Sequence, residues 1–154
     1  MTVEPPPPRS AAERKAHVLE LLGAEKDAWV ATATAQGEVA QIPLSFAWDG
    51  SALLFSTTRE SVTGRNLASS GQVRIALGGT RDVVLIEGGV VTHGREDVPE
   101  ALADAFAAKH AWDPRTDSGG RYAFFVVTPV RIQSWREENE LKGRTLLRDG
   151  RWLA

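Results

Sequence analysis

The hydrophobic residues near the start of the chain recur at the spacing of an α-helix. Ser10 followed by Glu13 is the pattern of a capping box at a helix N-terminus. The apolar residues that follow share one helical face, and they are Ala12, Ala16, Leu19 and Leu22. We therefore predict a first helix that starts after Ser10, ends at Gly23 and covers one side of the core.

From Trp29 onward the apolar pattern changes to extended segments separated by polar breaks. We predict strands over residues 29–34, 39–48, 52–57, 72–77, 82–92 and 122–135, and a hairpin over 145–153 that turns at Asp149-Gly150. Two further helices are predicted over residues 62–69, between Ser61 as N-cap and Gly71, and from Pro99 to His110. Six or more antiparallel strands with helices at only three places predict a mainly β fold, a closed or nearly closed barrel with helical covers.

The length of the chain fits one domain that a second copy completes. Its 154 residues can hold a single core. We predict that residues 1–9 form a disordered leader, because the run from Pro5 to Pro8 is a stiff spacer, and that residues 10–154 form the domain. A chain of this size leaves a large surface, so we expect a homodimer that covers an apolar sheet face.

Composition argues against several classes of function. Without cysteine the chain has no disulfide, no thiolate metal ligand and no cysteine nucleophile. The three histidines, His17, His93 and His110, have no metal-binding spacing, so we expect no metal site. The net charge of -2 argues against a globally basic nucleic-acid binder, and no apolar run is long enough for a membrane span. We expect a cytoplasmic protein that binds a small molecule, with no nucleic-acid or membrane partner.

The segment from Phe55 to Leu67 has the pattern of an anion site. A strand ends in hydroxyl residues and runs directly into the start of a helix. Exposed amides at the helix N-terminus and the Arg65 guanidinium would bind a phosphate together with the hydroxyls of Ser56, Thr57, Thr58, Ser61 and Thr63. The alternative is a helix cap and turn that are rich in Ser and Thr for structural reasons alone.

Two stretches resemble a known family. They are Ala40-Gln41-Ile42-Pro43-Leu44 and Ser61-Val62-Thr63-Gly64-Arg65-Asn66-Leu67. The second stretch corresponds to the family pattern S-x-K-x-R/K-N-L. Because of these stretches and the order of the elements, residues 28–135 resemble the pyridoxamine-phosphate-oxidase-like, FMN-binding split-barrel superfamily. The resemblance is strongest to the branch that uses the deazaflavin coenzyme F-420. The resemblance implies a split barrel and a homodimer that builds its site from both chains.

The resemblance also implies a set of cofactor-binding residues. The backbone of Gln41, Ile42, Pro43 and Leu44 would lie along the flavin ring. The residues implied around the phosphate are Ser56, Thr57, Thr58, Ser61, Thr63, Gly64, Arg65 and Asn66.

The chain departs from the family pattern at Val62 and Thr63, where the family carries basic residues. The lost charge-assisted contacts are commonly worth about 1.5–3 kcal/mol each, which weakens an FMN phosphate site. Arg65 would compensate in part, with Arg59 and Arg81 farther away, and a deazaflavin tail with extra carboxylates would be anchored by several such arginines. The first hypothesis is therefore an oxidoreductase that uses bound coenzyme F-420 to transfer hydride to an unknown small organic substrate.

Two alternatives stay open. One is an FMN-dependent enzyme that resembles pyridoxamine-phosphate oxidase, and the other is a protein that binds a flavin, a deazaflavin or haem without turnover. The sequence has no G-x-S-x-G or Walker pattern, which argues against a hydrolase or a phosphotransferase. It assigns no catalytic residue, since Tyr122 is either a proton donor or a core residue.

Overall fold

The computed structural model describes residues 2–154, so Met1 lies outside the described residues. The helices are α1 (Ala11–Ala24), α2 (Val62–Ser70) and α3 (Glu100–His110). The strands are β1 (Asp27–Ala33), β2 (Val39–Trp48), β3 (Leu53–Thr58), β4 (Gln72–Leu77), β5 (Val83–His93), β6 (Tyr122–Trp135), β7 (Thr145–Arg148) and β8 (Arg151–Trp152). Single turns of 3-10 helix lie at Pro114–Thr116 and Glu138–Glu140.

The first six strands close into an antiparallel barrel. β1 lies between β2 and β4, β5 lies between β4 and β6, and β3 joins β2 to β6, which completes the ring. β7 pairs with the end of β6, and β8 folds back on β7 as the predicted hairpin. The predicted mainly β barrel with helical covers is therefore confirmed, whereas the homodimer stays a prediction.

The local signals place most element ends correctly. β2, β4 and β6 have the predicted bounds, and the other three barrel strands shift by one or two residues. The capping box is present, since Glu13 N–H donates to Ser10 Oγ at 3.1 Å and Ser10 N–H donates to the Glu13 carboxylate at 2.9 Å. The predicted end of α1 at Gly23 was wrong by one residue, because the N–H of Glu25 still donates to the carbonyl of Leu21. Pro99 precedes the first turn of α3 as its cap.

Two apolar clusters lie on opposite sides of the same strands. Successive strand residues face opposite sides of a sheet, so Phe46 packs inside the barrel and Ala47 packs outside it. The inner cluster includes Val30, Phe46, Phe55, Phe125 and Ile132. The outer cluster joins α3 to the barrel and includes Ala47, Leu54, Leu102, Phe106 and Phe124. This packing fixes α3, and the loop that follows it, beside β2 and β3.

The segment before α1 contacts the 3-10 turn that follows β6. The Arg9 guanidinium donates to both carboxylate oxygens of Glu140 at 2.9 and 2.8 Å, and Asn139 Nδ2 donates to the carbonyl of Pro6 at 2.9 Å. The hydrogen bond from Arg9 lowers the pKa of the Glu140 carboxyl to about 2. These contacts reach from Arg9 back to Pro6, inside residues 1–9, and the disorder of the proline-rich leader stays a prediction.

Candidate functional site

The barrel opens where β2 and β3 separate. The two strands pair only through Trp48 with Leu53, Ala47 with Leu54 and Phe46 with Phe55. Beyond that last pair β2 stays on β1, while β3 stays on β6 as far as Thr58. An open cleft of about 340 Å³ lies against the separated ends. Its lining residues are Asp27, Pro43, Leu44, Ser45, Ser56, Thr57, Trp112 and Tyr122.

One wall of the cleft is the free backbone edge of β2. Phe46 N–H donates to the carbonyl of Lys26, toward the β1 side. Because backbone groups alternate in direction along an antiparallel strand, those of Ser45 and Pro43 point to the other side, into the gap. Proline has no N–H, so it fits inside a paired strand only where its nitrogen faces an unpaired edge. The position of Pro43 in the register thus agrees with a strand that is open on the cleft side.

Two aromatic side chains form the opposite wall. Trp112 follows α3 and stays 42% exposed, and its ring packs edge-on against Tyr122 with centroids 5.2 Å apart. The ring of Phe106 in α3 also packs edge-on against the Trp112 indole, with centroids 6.0 Å apart. Tyr122 is half-buried and lines the cleft, so the structure does not place it in either apolar core cluster. Sequence reasoning missed Trp112, although an exposed tryptophan in a loop is a signal for binding.

The predicted residues fall into two neighbouring groups. Pro43, Leu44, Ser56 and Thr57 line the cleft. The second group runs from the last residue of β3 through the cap of α2 into that helix, and it contains Thr58, Ser61, Thr63, Gly64, Arg65 and Asn66. Ile42 is half-buried on β2, and Gln41 faces a different cleft on the outer sheet surface. The structure therefore brings most of the predicted set to one region without placing it around a single point.

Several hydroxyls at the strand–helix junction are already engaged. Ser56 Oγ donates to the carbonyl of Ala123 at 2.9 Å. Ser61 Oγ donates to the carbonyl of Thr58 at 2.8 Å and accepts the N–H of Gly64 at 3.0 Å. Neither hydroxyl has a hydrogen left for an anion. Within the described chain, the backbone donors left free at this helix start are the N–H groups of Val62 and Thr63, and the hydroxyls of Thr57 and Thr58 have no partner.

Three predicted residues on α2 have packing roles. Thr63 and Asn66 are buried, and Asn66 Nδ2 donates to Thr32 Oγ1 of β1 at 3.2 Å. A β-carbon on Gly64 would lie 2.2 Å from the carbonyl oxygen of Thr58, which is inside contact distance. The absence of a side chain at Gly64 therefore lets α2 start directly against the end of β3.

Arg65 is the arginine at this junction that keeps a free guanidinium. It is exposed, and no hydrogen bond or ion pair engages its side chain within residues 2–154. Arg59 instead donates to the carbonyl of Gly120, and Arg81 lies 3.5 Å from Glu137. Arg121, next to Tyr122, pairs with Asp117 at 2.9 Å and lowers the pKa of that carboxyl to about 2.

The second cleft lies on the outer surface of the sheet. It measures about 220 Å³ and includes Trp29, Gln41, Leu85 and a charged group. In that group the Glu87 carboxylate lies 2.6 Å from Arg74 and 3.7 Å from Arg131. Trp29 is 50% exposed there, so a large aromatic surface is left uncovered on the barrel.

Two further observations concern binding classes. Over residues 2–154 no group of three or more His, Asp or Glu side chains is arranged to hold a metal ion. None of the helices in that same range has the length and apolar character needed to cross a membrane.

Comparison with known proteins identifies relatives of this architecture. The sequence model of the family described as pyridoxamine 5'-phosphate oxidase matches residues 15–136. An F420 reductase structure has 20% identity and a TM-score of 0.60, with 73% of this chain and 93% of that chain covered. A heme binding protein from Mycobacterium smegmatis has 20% identity and a TM-score of 0.63, with 97% and 60% covered. A heme storage protein from Vibrio cholerae has 15% identity and a TM-score of 0.63, with 78% and 93% covered. A search among curated proteins finds no match.

Proposed function

Because this chain belongs to the pyridoxamine 5'-phosphate oxidase family, we propose that it is an oxidoreductase that binds the deazaflavin coenzyme F-420 in the cleft between β2 and β3. The chain would hold this cofactor for transfer of hydride to a small organic substrate. The observation that carries the proposal is the separation of β2 from β3 after Phe46 and Phe55, opposite the wall formed by Trp112 and Tyr122.

The cleft suits the ring of a flavin-type cofactor. Cofactor pockets commonly measure about 300–1,000 Å³ and combine apolar walls with a few polar groups. At about 340 Å³ this open cleft would take the planar ring and leave the ribityl chain to run along β3 toward α2. The free edge of β2 at Ser45 would offer backbone groups to the ring heteroatoms. Pro43 adds an apolar surface that offers no competing N–H.

The residues of the chain would bind, orient and shield the cofactor. Transfer of hydride is the chemistry that the ring itself supplies when it is bound. Trp112 would cover one face of the site and exclude water. Tyr122 carries the hydroxyl on the aromatic wall, so it is the candidate to donate a proton to the reduced substrate.

The anionic part of the cofactor would lie at the start of α2. The donors available there are the free amides of Val62 and Thr63, the hydroxyls of Thr57 and Thr58, and the exposed guanidinium of Arg65, which is the one cation of the set. The side chain of Thr63 is buried, so it would not reach a phosphate. This depleted set favours the deazaflavin, whose tail carboxylates can use more distant cations, over FMN.

Binding without turnover is the second candidate, and the names of two similar structures motivate it. Haem iron needs an axial ligand such as His, Cys, Met or Tyr. Of the residues that line the cleft, only Tyr122 belongs to these residue types. His110, the histidine nearest to β2, instead lies with Nε2 2.8 Å from the carbonyl oxygen of Phe46. Haem is therefore the less favoured ligand of this cleft.

The uncovered sheet face supports a homodimer. Trp29, Leu85 and Val130 are each more than a third exposed on the outside of the barrel strands. A second copy would bury this face and would border the cleft of the first, as the family resemblance implies. The open, shallow form of the cleft in one chain agrees with a site that two chains complete.

The test is a titration of the cofactor-free protein with coenzyme F-420, FMN and haem in turn, in which binding is measured by the change in tryptophan fluorescence. Trp112→Phe should remove most of the signal, whereas Trp48→Phe, which changes a tryptophan packed on the core, should leave it. We expect F-420 to bind at least tenfold more tightly than FMN, and the reduced coenzyme to be reoxidised when acceptors are added. Tighter binding of FMN would select the FMN-dependent alternative, and tight binding without reoxidation would select the non-catalytic one.

A further inference from the structure

The cleft contains a single charged side chain. Of the eight residues that line it, Asp27 is the one acidic or basic residue. Asp27 opens β1 and stands opposite Ser45 in the register of β2. Ser45 Oγ donates to Asp27 Oδ1 at 2.7 Å, which orients the carboxylate on the cleft wall. The charge that a bound molecule meets inside the cleft is therefore negative.

This carboxylate is available to a ligand. No cation within the described chain lies close enough to form an ion pair with it. Burial lowers the pKa of the Lys109 ammonium, and the nearby charge of Asp27 opposes that shift in part. The ammonium itself is held by the carbonyl of Glu25 and the face of the Phe46 ring. Asp27 is exposed, and Oδ2 has no partner among the described residues.

The two ends of the site carry opposite charge. Asp27 and Ser45 lie at the closed end, one position beyond the last pair of β2 with β3. The helix amides and Arg65 lie at the open end, past Thr58. A cofactor anion is attracted to the open end, and a cation on a second molecule is attracted to the closed end.

We propose that the cleft selects substrates that carry a cationic nitrogen group, and that Asp27, oriented by Ser45, is the residue that binds this group. The inference rests on the proposed function and adds the substrate class to it. A cation at Asp27 places the remainder of the molecule against the aromatic wall of Trp112 and Tyr122, opposite the β2 edge assigned to the cofactor, where a flat apolar body packs well. Anionic substrates meet repulsion at the same point.

The experiment measures binding of three probes of nearly equal size by equilibrium dialysis. They are 2-naphthylmethylamine, 2-naphthalenemethanol and 2-naphthoate, which are cationic, neutral and anionic at neutral pH. Each is measured with wild type, Asp27→Asn and Ser45→Ala, with and without bound coenzyme F-420. Glu38→Gln is the matched control, because it removes the same charge from the exposed turn between β1 and β2.

We expect wild type to bind the amine about tenfold more tightly than the alcohol and the acid least tightly. Asp27→Asn should bring amine and alcohol to equal affinity, Ser45→Ala should reduce the preference in part, and Glu38→Gln should keep it. A wild type without charge preference, or an amine preference that survives in Asp27→Asn, would overturn the inference. Failure of F-420 to bind would instead contradict the proposed function, and the cofactor-free measurements would still decide the role of Asp27.

Discussion

Gly64 shows how one missing β-carbon brings the helix start to the cleft. In most helix interiors Gly→Ala stabilises by about 1 kcal/mol, because glycine loses more backbone entropy on folding. Here the new carbon would lie 2.2 Å from a backbone oxygen of Thr58, so β3 and α2 must move apart. We expect Gly64→Ala to lower the free energy of unfolding by about 1–3 kcal/mol in urea denaturation. It should also weaken cofactor binding.

Gly23→Ala is the matched control for that change. Gly23 lies in α1, and a β-carbon there would meet nothing within 4 Å. We expect this variant to be as stable as wild type or slightly more stable. If both glycine variants behaved alike, close approach of α2 to β3 would not be the reason for Gly64.

The exposure of Arg65 changes the size of the effect expected from its removal. A buried charge-assisted hydrogen bond to a phosphate would be worth about 1.5–3 kcal/mol, but solvent and salt screen an exposed pair. We therefore expect Arg65→Ala to raise the Kd for the cofactor about threefold to tenfold, with a smaller salt dependence. Arg65→Lys should recover part of the loss, since it keeps the charge without the bidentate geometry. Arg148→Ala, at an exposed arginine of β7, should bind like wild type, and an unchanged Kd for Arg65→Ala would remove this residue from the site.

At the scale of elements, the contact between the segment before α1 and the Glu138–Glu140 turn gives a pH-dependent term in stability. Hydrogen bonding to Arg9 lowers the pKa of Glu140 from 4.5 to about 2 in the folded chain. The carboxylate therefore stabilises the fold above about pH 4.5, and this contribution is lost as the pH falls toward 2. We expect Glu140→Gln to cost about 3 kcal/mol at neutral pH and almost nothing at the acid end, measured by urea denaturation across that range. A cost that did not change with pH would contradict the ion pair.

A pair of truncations tests the same contact from the other side. Removal of residues 1–8 takes away the proline run, while Arg9 keeps its contact with Glu140. We expect that truncation to change the melting temperature by less than removal of residues 1–9, which leaves Glu140 buried without its cation. Cofactor affinity should be the same in both. Equal melting temperatures for the two truncated proteins would show that Arg9 adds nothing.

The helices and strands could be predicted from the sequence because the signals that define their ends are local. The capping box at Ser10, the left-handed Gly71 after α2 and the Asp149-Gly150 turn each act within a few residues. The cleft between β2 and β3 could not be predicted in this way. It depends on which residue of β2 pairs last with β3, and on α3 bringing Trp112 next to Tyr122. Register and packing of this kind join distant segments, so neither Asp27 nor Trp112 was predicted as a site residue.

At the scale of the whole molecule, the uncovered outer face of the barrel predicts self-association. We expect light scattering to give a dimer at micromolar concentration, with a total buried area above about 1,000 Å². Trp29→Glu would place a charge in the middle of the exposed aromatic surface and should shift the protein toward monomer. Glu38→Gln serves again as a control on a site away from that face. A stable monomer for wild type would contradict the dimer while leaving the barrel intact.

Closure of the barrel through β3 and β6 also has a consequence for the order of folding. Leu53 pairs with Val127 although the two are about seventy residues apart in the chain, whereas β1 meets β2 across one short turn. Long-range pairing carries a larger loop-closure entropy and so forms later than local hairpins. One wall of the cleft would thus form early and the other only when the ring of strands closes. A refolding chain would gain its affinity for ligand in its slowest step, and ligand present during refolding would stabilise the closed barrel without accelerating its formation.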